Sequence, residues 1–236
     1  MGLSVVEQSA FAESIARDGW AVTSPVVPQL ELDRLVAELT PLGDDGRGGV
    51  RNLLDASPAV RTLATSVAVR SVAEAVLGSG CFAVRATLFD KTPGANWKVV
   101  WHQDVTIAVR QRERVHGFGP WTEKAGVPHV QPPADVLEGM LAVRVHLDAC
   151  GADNGPIRVI PGSHRIGRLS AAAIDSWRTS AQAVEAVAQR GAIIAFRPLI
   201  LHASSPATAP AHRRVIHIDF AAVELPGPLD WHSRVA

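Results

Sequence analysis

The sequence predicts a mainly β protein with flanking helices, folded as a double-sheet jelly roll. Three observations carry this. Period-two alternation dominates after residue 81, the strand-like runs are short and parted by Gly, Pro and Asn turns, and helical periodicity is confined to roughly the first eighty residues. At 236 residues the chain has room for one large core, and β domains of this size usually fold as one unit. Residues 1–236 are therefore read as one domain, with 1–80 a mostly helical buttress and 81–223 the jelly-roll core.

In the buttress, residues 9–17 and 29–39 carry apolar side chains at helical spacing, and Pro28 stands where a first helical turn tolerates proline. Residues 61–77 form a third, Ala- and Val-rich helical stretch, and Trp20 to Val22 reads as a short strand between the first two helices. In the core, 82–91 alternates, with Arg85, Thr87 and Lys91 on one face and Val84, Ala86 and Leu88 on the other. Residues 140–148 place Leu141, Val143, Val145 and Leu147 opposite Arg144, His146 and Asp148. Further strands are expected at 156–160, 192–196 and 215–223, with turns at Asp153-Asn154-Gly155-Pro156 and Pro161-Gly162-Ser163. Residues 110–138 have no sustained period and read as a lid loop.

Composition excludes several classes of partner. The formal charge is zero and the pI about 7.1, whereas nucleic-acid binding leaves a basic footprint. No run approaches the roughly 20 apolar residues that span a bilayer. The N-terminus has no basic leader, and Val6 stands where a myristoylation signal needs Ser or Thr. Cys81 and Cys150 are far apart in sequence and fit reduced thiols, so a cytoplasmic protein acting on a small molecule is expected. Nothing in the sequence speaks to oligomeric state.

The sharpest local feature is Trp101-His102-Gln103-Asp104. In extended chain, residues two apart point the same way, so His102 and Asp104 present an imidazole nitrogen and a carboxylate oxygen together. A second His completes one face of an octahedron and leaves the other face open, the arrangement of non-haem iron oxygenases. With nine histidines, roughly 0.4 His-x-Asp pairs arise by chance at ordinary Asp usage, so the pair alone also fits a solvated strand end. Support comes from His202, which follows the apolar run 192–196, and from Arg213, eleven residues beyond it. A chelating dicarboxylate requires this combination: metal at the keto-acid end and a guanidinium fork at the other.

WHQD, then NGPIRVIPGSHR, then LHASSPATAPAHRRVIHIDF, in that order, resemble the phytanoyl-CoA dioxygenase family of Fe(II)/2-oxoglutarate oxygenases, from about Phe11 to Phe220. The resemblance implies a double-stranded β-helix, the cupin-like form of the jelly roll. It makes His102, Asp104 and His202 the catalytic iron ligands, Arg213 the 2-oxoglutarate anchor and Ser204 its hydroxyl partner. It also puts Gln103 near the co-substrate, where Lys91 and Thr87 on their shared strand face are expected too. The implied activity is hydroxylation of a small molecule with O₂, releasing succinate and CO₂. Asp104 disfavours halogenation, which needs a small residue at that ligand position.

Two departures are visible. Arg213 and Arg214 are adjacent, so only one can enter the site, and alternation groups Arg214 with the apolar Ile216, Ile218 and Phe220; the eleven-residue offset favours Arg213. Arg144 stands where many relatives carry an aromatic residue, and is expected to bind co-substrate, a substrate carboxylate, or Asp148. His146 and His129 are candidate substrate contacts, although a satisfied core or loop His is an equal reading of each. Arg110, Arg112 and Arg114 point either to an anionic substrate or to solvated lid charge. His164 reads as part of a surface turn, Trp97 and Trp101 as shields or packing for the ligand pair, and Lys91 also as a solvated strand end. The alternative function is a cupin-like metal protein without redox chemistry, an isomerase or binding module; a dicarboxylate anchor argues against it.

Overall fold

In the computed structural model, which describes residues 2–42 and 49–236, two antiparallel sheets face each other. Of the 1–80 segment, residues 1 and 43–48 lie outside the described residues. The larger sheet runs in the order Trp20–Val22, Ile193–Phe196, Met140–His146, Arg213–Ala221, Phe82–Lys91, Gly49–Val50, every pair antiparallel. The smaller runs Val184–Ala186, Ile157–Val159, His202–Ser204, Val99–His102. This is the double-stranded β-helix. A three-stranded sheet, Ile107–Ala108, Val127–Val130 and Trp121–Lys124, is the third.

The large sheet is buried on both faces. Leu141, Val143, Val145, Ile216, Ile218 and Phe220 pack under the helices against Ile15, Leu35, Leu63 and Val69. Ala142, Ile194 and Phe196 point the other way, onto Ile157 and Val159 of the small sheet. Each such aliphatic or aromatic side chain contributes roughly 1.5–3 kcal/mol when withdrawn from water. All seven residues of Met140–His146 are consequently buried, Arg144 and His146 included.

Side-chain caps set several of the helix starts. Ser4 and Glu7 form a capping box, so the first helix is Val5–Asp18, four residues longer at its start than apolar spacing indicates. It stops at Gly19, whose φ of 82° suits glycine. The second is Gln29–Leu39, as the sequence indicates. The 61–77 stretch is two helices, Pro58–Thr65 and Val67–Leu77. Ser66 divides them: its hydroxyl donates to the Leu63 carbonyl and accepts from Val69 N–H, trading helix continuity for a cap.

Three expectations need correction. Residues 110–138 are not an aperiodic loop. They contain the hairpin Trp121–Lys124/Val127–Val130 and the short helix Ala134–Glu138. Pro128 hides the strand from a sequence reading, yet it lies opposite Glu123, one pair beyond the turn-closing pair Lys124–Val127, where the hairpin asks for no N–H. Val84 does not share a face with Ala86 and Leu88. A bulge between the partners of Arg85 and Ala83 switches the alternation, and Val84 joins Phe82 in a separate cluster with Ile107 and Trp231. Finally, the last long strand starts at Arg213 and ends at Ala221, which brings Arg213 itself into the ladder opposite Lys91.

Ile218 sits at the centre of this packing, fully buried. Ile218→Ala is expected to lower unfolding free energy by roughly 2–5 kcal/mol, read from the urea denaturation midpoint at unchanged slope.

Candidate metal centre and its cavity

Strand pairing builds the centre. His202–Ser204 runs antiparallel to Val99–His102 with His202 directly opposite His102, so the two imidazoles stand 4.2 Å apart between ring centroids. Asp104 lies two residues past His102, its N–H bound to the Pro198 carbonyl at 2.9 Å. In each His, Nδ1 faces a carbonyl two residues upstream in its own chain, Val100 at 2.8 Å and Ile200 at 3.0 Å. That bond makes Nδ1 the protonated nitrogen and leaves the Nε2 lone pair free. Both Nε2 atoms point at Asp104, each 3.6 Å from a different carboxylate oxygen, and the three donor atoms lie within 4.8 Å of one another. Two neutral imidazoles and one carboxylate on one side of an open cavity fit a divalent transition metal. Burial pushes His202 down to about 4, whereas His102, which burial alone would lower, is raised by its contact with Asp104. Asp104, which burial alone would raise, is held well below the ordinary carboxylate range by the facing imidazoles, so a metal would have to displace a proton shared within the cluster.

The cavity beside the triad is about 240 Å³. Arg213 enters it from the first position of its strand; it is 3% exposed, with one terminal nitrogen on the Gly155 carbonyl, a side-chain hydrogen bond with Cys150, and Nε buried without a partner. Ser204 Oγ accepts from Lys91 Nζ at 2.7 Å and donates to Gly155 O at 3.1 Å, and Lys91 also donates to Ser205 O at 2.6 Å. Gly155 is required here: at φ 59° a Cβ would fall 2.7 Å from the Ser205 carbonyl and 3.1 Å from Lys91 Nζ. An under-bonded guanidinium beside a hydroxyl is what a free carboxylate would complete, so this end of the cavity fits a dicarboxylate. Lys91 is fully buried, which corrects the solvated strand end; burial and then Arg213 bring it down to about 8. Thr87 lines the same cavity.

Arg214 points the other way and grips Asp148 with two bonds of 2.8 Å. Its apolar companions Ile216, Ile218 and Phe220 face the helices, so the apolar side of this strand is not the cavity side. Asp148 is therefore unavailable to Arg144. Instead Arg144 lines the cavity and donates to His217 Nδ1 at 3.2 Å; His217 Nε2 donates to Asp219 at 3.0 Å, and Arg85 donates to the other oxygen of Asp219 at 2.6 Å. Burial, then Arg213, lowers Arg144 to about 10, and its Nε is unpartnered.

Several expected site residues do not line the cavity. Gln103 donates to the Gly167 and Leu199 carbonyls and accepts from Leu169 N–H, a full set of bonds that ties down backbone. His129 and His146 are buried off the cavity wall, His146 with both ring nitrogens unpartnered. Arg110, Arg112 and Arg114 are exposed and away from the cavity. Trp97 lines it, whereas Trp101 lies under Arg158. His164 packs on Gly19, in keeping with a turn residue. His212 and His232, without evident partners in the sequence, bond Asp90 and Asp55. Sequence reasoning missed Arg51, Lys124 and His217 on the wall and did not assign Arg85 there, although Arg85 shares the face of Thr87 and Lys91.

The fold and this centre define the class of jelly-roll oxygenases that use Fe(II) and 2-oxoglutarate. Residues 15–215 match the phytanoyl-CoA dioxygenase (PhyH) family, and the chain belongs to that family. No curated protein matches it. Among solved structures it is similar to the epimerase SnoN in complex with Fe³⁺, alpha ketoglutarate and nogalamycin RO, at 17% identity and TM-score 0.73 over 99% of this chain and 96% of that one. It is also similar to EctD from S. alaskensis with 2-oxoglutarate and 5-hydroxyectoine (20% identity, TM-score 0.68, 96% and 79% covered). A third is AviO1 from Streptomyces viridochromogenes Tue57 (22%, TM-score 0.66, 95% and 99%). No helix among the described residues is long and apolar enough to cross a membrane.

Two histidines away from the triad are expected to set a pH response. Burial lowers His146 from 6.5 to about 3 and His129 from 6.5 to about 4. Depressed values in the folded state mean that stability is full above pH 6.5 and is lost as pH falls through that window. The thermal midpoint is expected to drop from pH 6.5 towards 3, and His146→Leu, which removes the group that must charge, is expected to flatten the slope.

Proposed function

We propose that the chain is an Fe(II)/2-oxoglutarate-dependent dioxygenase that hydroxylates a small molecule. The observation that carries this is the pairing, across one cavity, of the His102–Asp104–His202 triad with Arg213, a buried guanidinium whose Nε has no partner. In this reading the triad holds the iron, while Arg213 grips the far carboxylate of 2-oxoglutarate with help from Ser204, Lys91 and Thr87. Iron, 2-oxoglutarate and O₂ together supply the oxidising power, with succinate and CO₂ as co-products. The chain's own work is placement and exclusion of water. Nδ1 bonds fix both imidazoles, and Phe89, Trp97 and Ile157 give the cavity apolar walls. Asp104 keeps its ligand position filled, which favours oxygen transfer over halogenation.

Arg213 also argues against a cupin-like metal protein without redox chemistry, which needs no dicarboxylate anchor. The named chemistries of the neighbours include epimerisation and carbocyclisation, so hydroxylation rests on the substrate placed here and not on the fold. We read residues 1–236 as one catalytic domain and its location as cytoplasmic, in keeping with buried free thiols at Cys81 and Cys150.

Anaerobic titration of the Fe(II)-loaded protein with 2-oxoglutarate tests the reading through the visible metal-to-ligand charge-transfer band. The wild type is expected to show the band and His102→Ala to lose it. Arg213→Ala is expected to weaken 2-oxoglutarate binding by roughly 30-fold or more, the equivalent of about 2 kcal/mol. Absence of the band in folded, iron-loaded wild type would favour the non-redox alternative.

A further inference from the structure

The cavity carries more positive charge than a dicarboxylate co-substrate calls for. Arg213 and Lys91 gather around Ser204 at one end, and Lys91 is lowered by burial and then by Arg213. Arg51, Arg85 and Lys124 form a second group on the wall. Lys124 is lowered by burial and then by Arg85 and Arg51, and Arg51 by burial and then by Arg85, so these three crowd one another and not Arg213.

The fold brings them together from three places. Arg51 follows Gly49–Val50, which pairs with Phe89 and Leu88. Arg85 projects from the Phe82–Lys91 strand, and Lys124 closes the hairpin at Ala125-Gly126, both of positive φ. Asn52, itself left-handed at φ 58°, donates from Nδ2 to the Ala125 carbonyl at 3.2 Å, which ties the Arg51 segment to the hairpin carrying Lys124.

Structural pairing does not account for this group. Only Arg85 has a carboxylate, Asp219, which it shares with His217. Lys124 bonds the Thr106 hydroxyl at 2.9 Å, and Arg51 has no hydrogen bond or ion pair among the described residues. Asp104, the other acid at the cavity, faces the two ligand histidines. Asp104 and Asp219 offset the charge of Lys124 only in part, because burial and the two arginines outweigh them, and neither Lys124 nor Arg51 has an ion pair among the described residues. An oxyanion bridging the two would offset the electrostatic cost of gathering them.

We propose that Arg51 and Lys124, backed by Arg85, are an oxyanion subsite, and that the substrate is a small molecule whose carboxylate or phosphate they grip beside the His102–Asp104–His202 centre. This rests on the reading of Arg213 as the co-substrate anchor, which leaves the second group of cations for the substrate. The anion fixes one end of the molecule, so the carbon to be oxidised is chosen by its distance from that anion.

The test uses protein loaded with Mn(II) and saturating 2-oxoglutarate, at low ionic strength. Methyl phosphate, acetate and neutral acetamide are titrated against the thermal unfolding midpoint. The midpoint is expected to rise saturably with methyl phosphate or acetate and not with acetamide, and the tighter of the two anions assigns the group. Arg51→Gln and Lys124→Gln are each expected to weaken that anion about tenfold or more, with the affinity for 2-oxoglutarate, measured by calorimetry, unchanged. An equal response to acetamide, or anion binding untouched in both variants, would overturn the subsite. Wild type that binds the anions through Arg51 and Lys124 but fails to bind 2-oxoglutarate would keep the subsite and remove the co-substrate reading.

Discussion

The antiparallel register that sets His202 against His102 is the constraint on which the rest of the structure depends. It joins two short strands from distant parts of the chain, and a one-residue slip would turn both imidazoles away from each other. Asp104 is held to the same frame through its backbone bond to Pro198, four residues before His202. The small sheet holds that register because Ile157 and Val159 press against Phe196 and Ile194 of the large one. The large sheet is braced in turn by helices over its opposite face, where Ile216, Ile218 and Phe220 are buried. Packing at one end of the molecule thus fixes the spacing of three polar atoms at the other.

Much of this was legible in the sequence, for identifiable reasons. Alternation in 82–91 and 140–148, with Gly, Pro and Asn turns between strands, reports a jelly roll because a pleated strand has a strict period. The convergence of His102, Asp104 and His202 was legible because two of them sit two residues apart and the third lies in a motif that falls in family order. Arg213 against Arg214 was harder. Alternation separates two faces but does not say which holds the helices, and here the more apolar face is the helix side. Gln103 was placed near the co-substrate by the family resemblance alone; lying between His102 and Asp104 in sequence, it points to the backbone of 167–169 and Leu199 instead. Arg51 and Lys124 carry no local signal, since a two-residue strand and a hairpin interrupted by Pro128 become neighbours only through tertiary pairing.

Charge is distributed unevenly within this frame. Lys91 is buried with no carboxylate, its ammonium held by a hydroxyl and a carbonyl, and Arg144 is buried against a histidine ring nitrogen. Isolated buried cations are costly. Such groups persist where function requires them, and both lie around one cavity. The chain Arg144–His217–Asp219–Arg85 links the two cationic groups through a single buried carboxylate, which limits their mutual repulsion without neutralising either end.

His102 and His202 each take their orientation from a carbonyl two positions upstream in their own chain, not from a neighbouring side chain. The reactive end is consequently inherited with the backbone, and no partner residue has to be conserved to keep the rings in place. The cations across the cavity, by contrast, sit at the end of a hairpin strand and just after a two-residue edge strand. On the proposed reading, a lineage built on this frame can change what it accepts by altering a few positions there, while the backbone that aims the two imidazoles passes on intact.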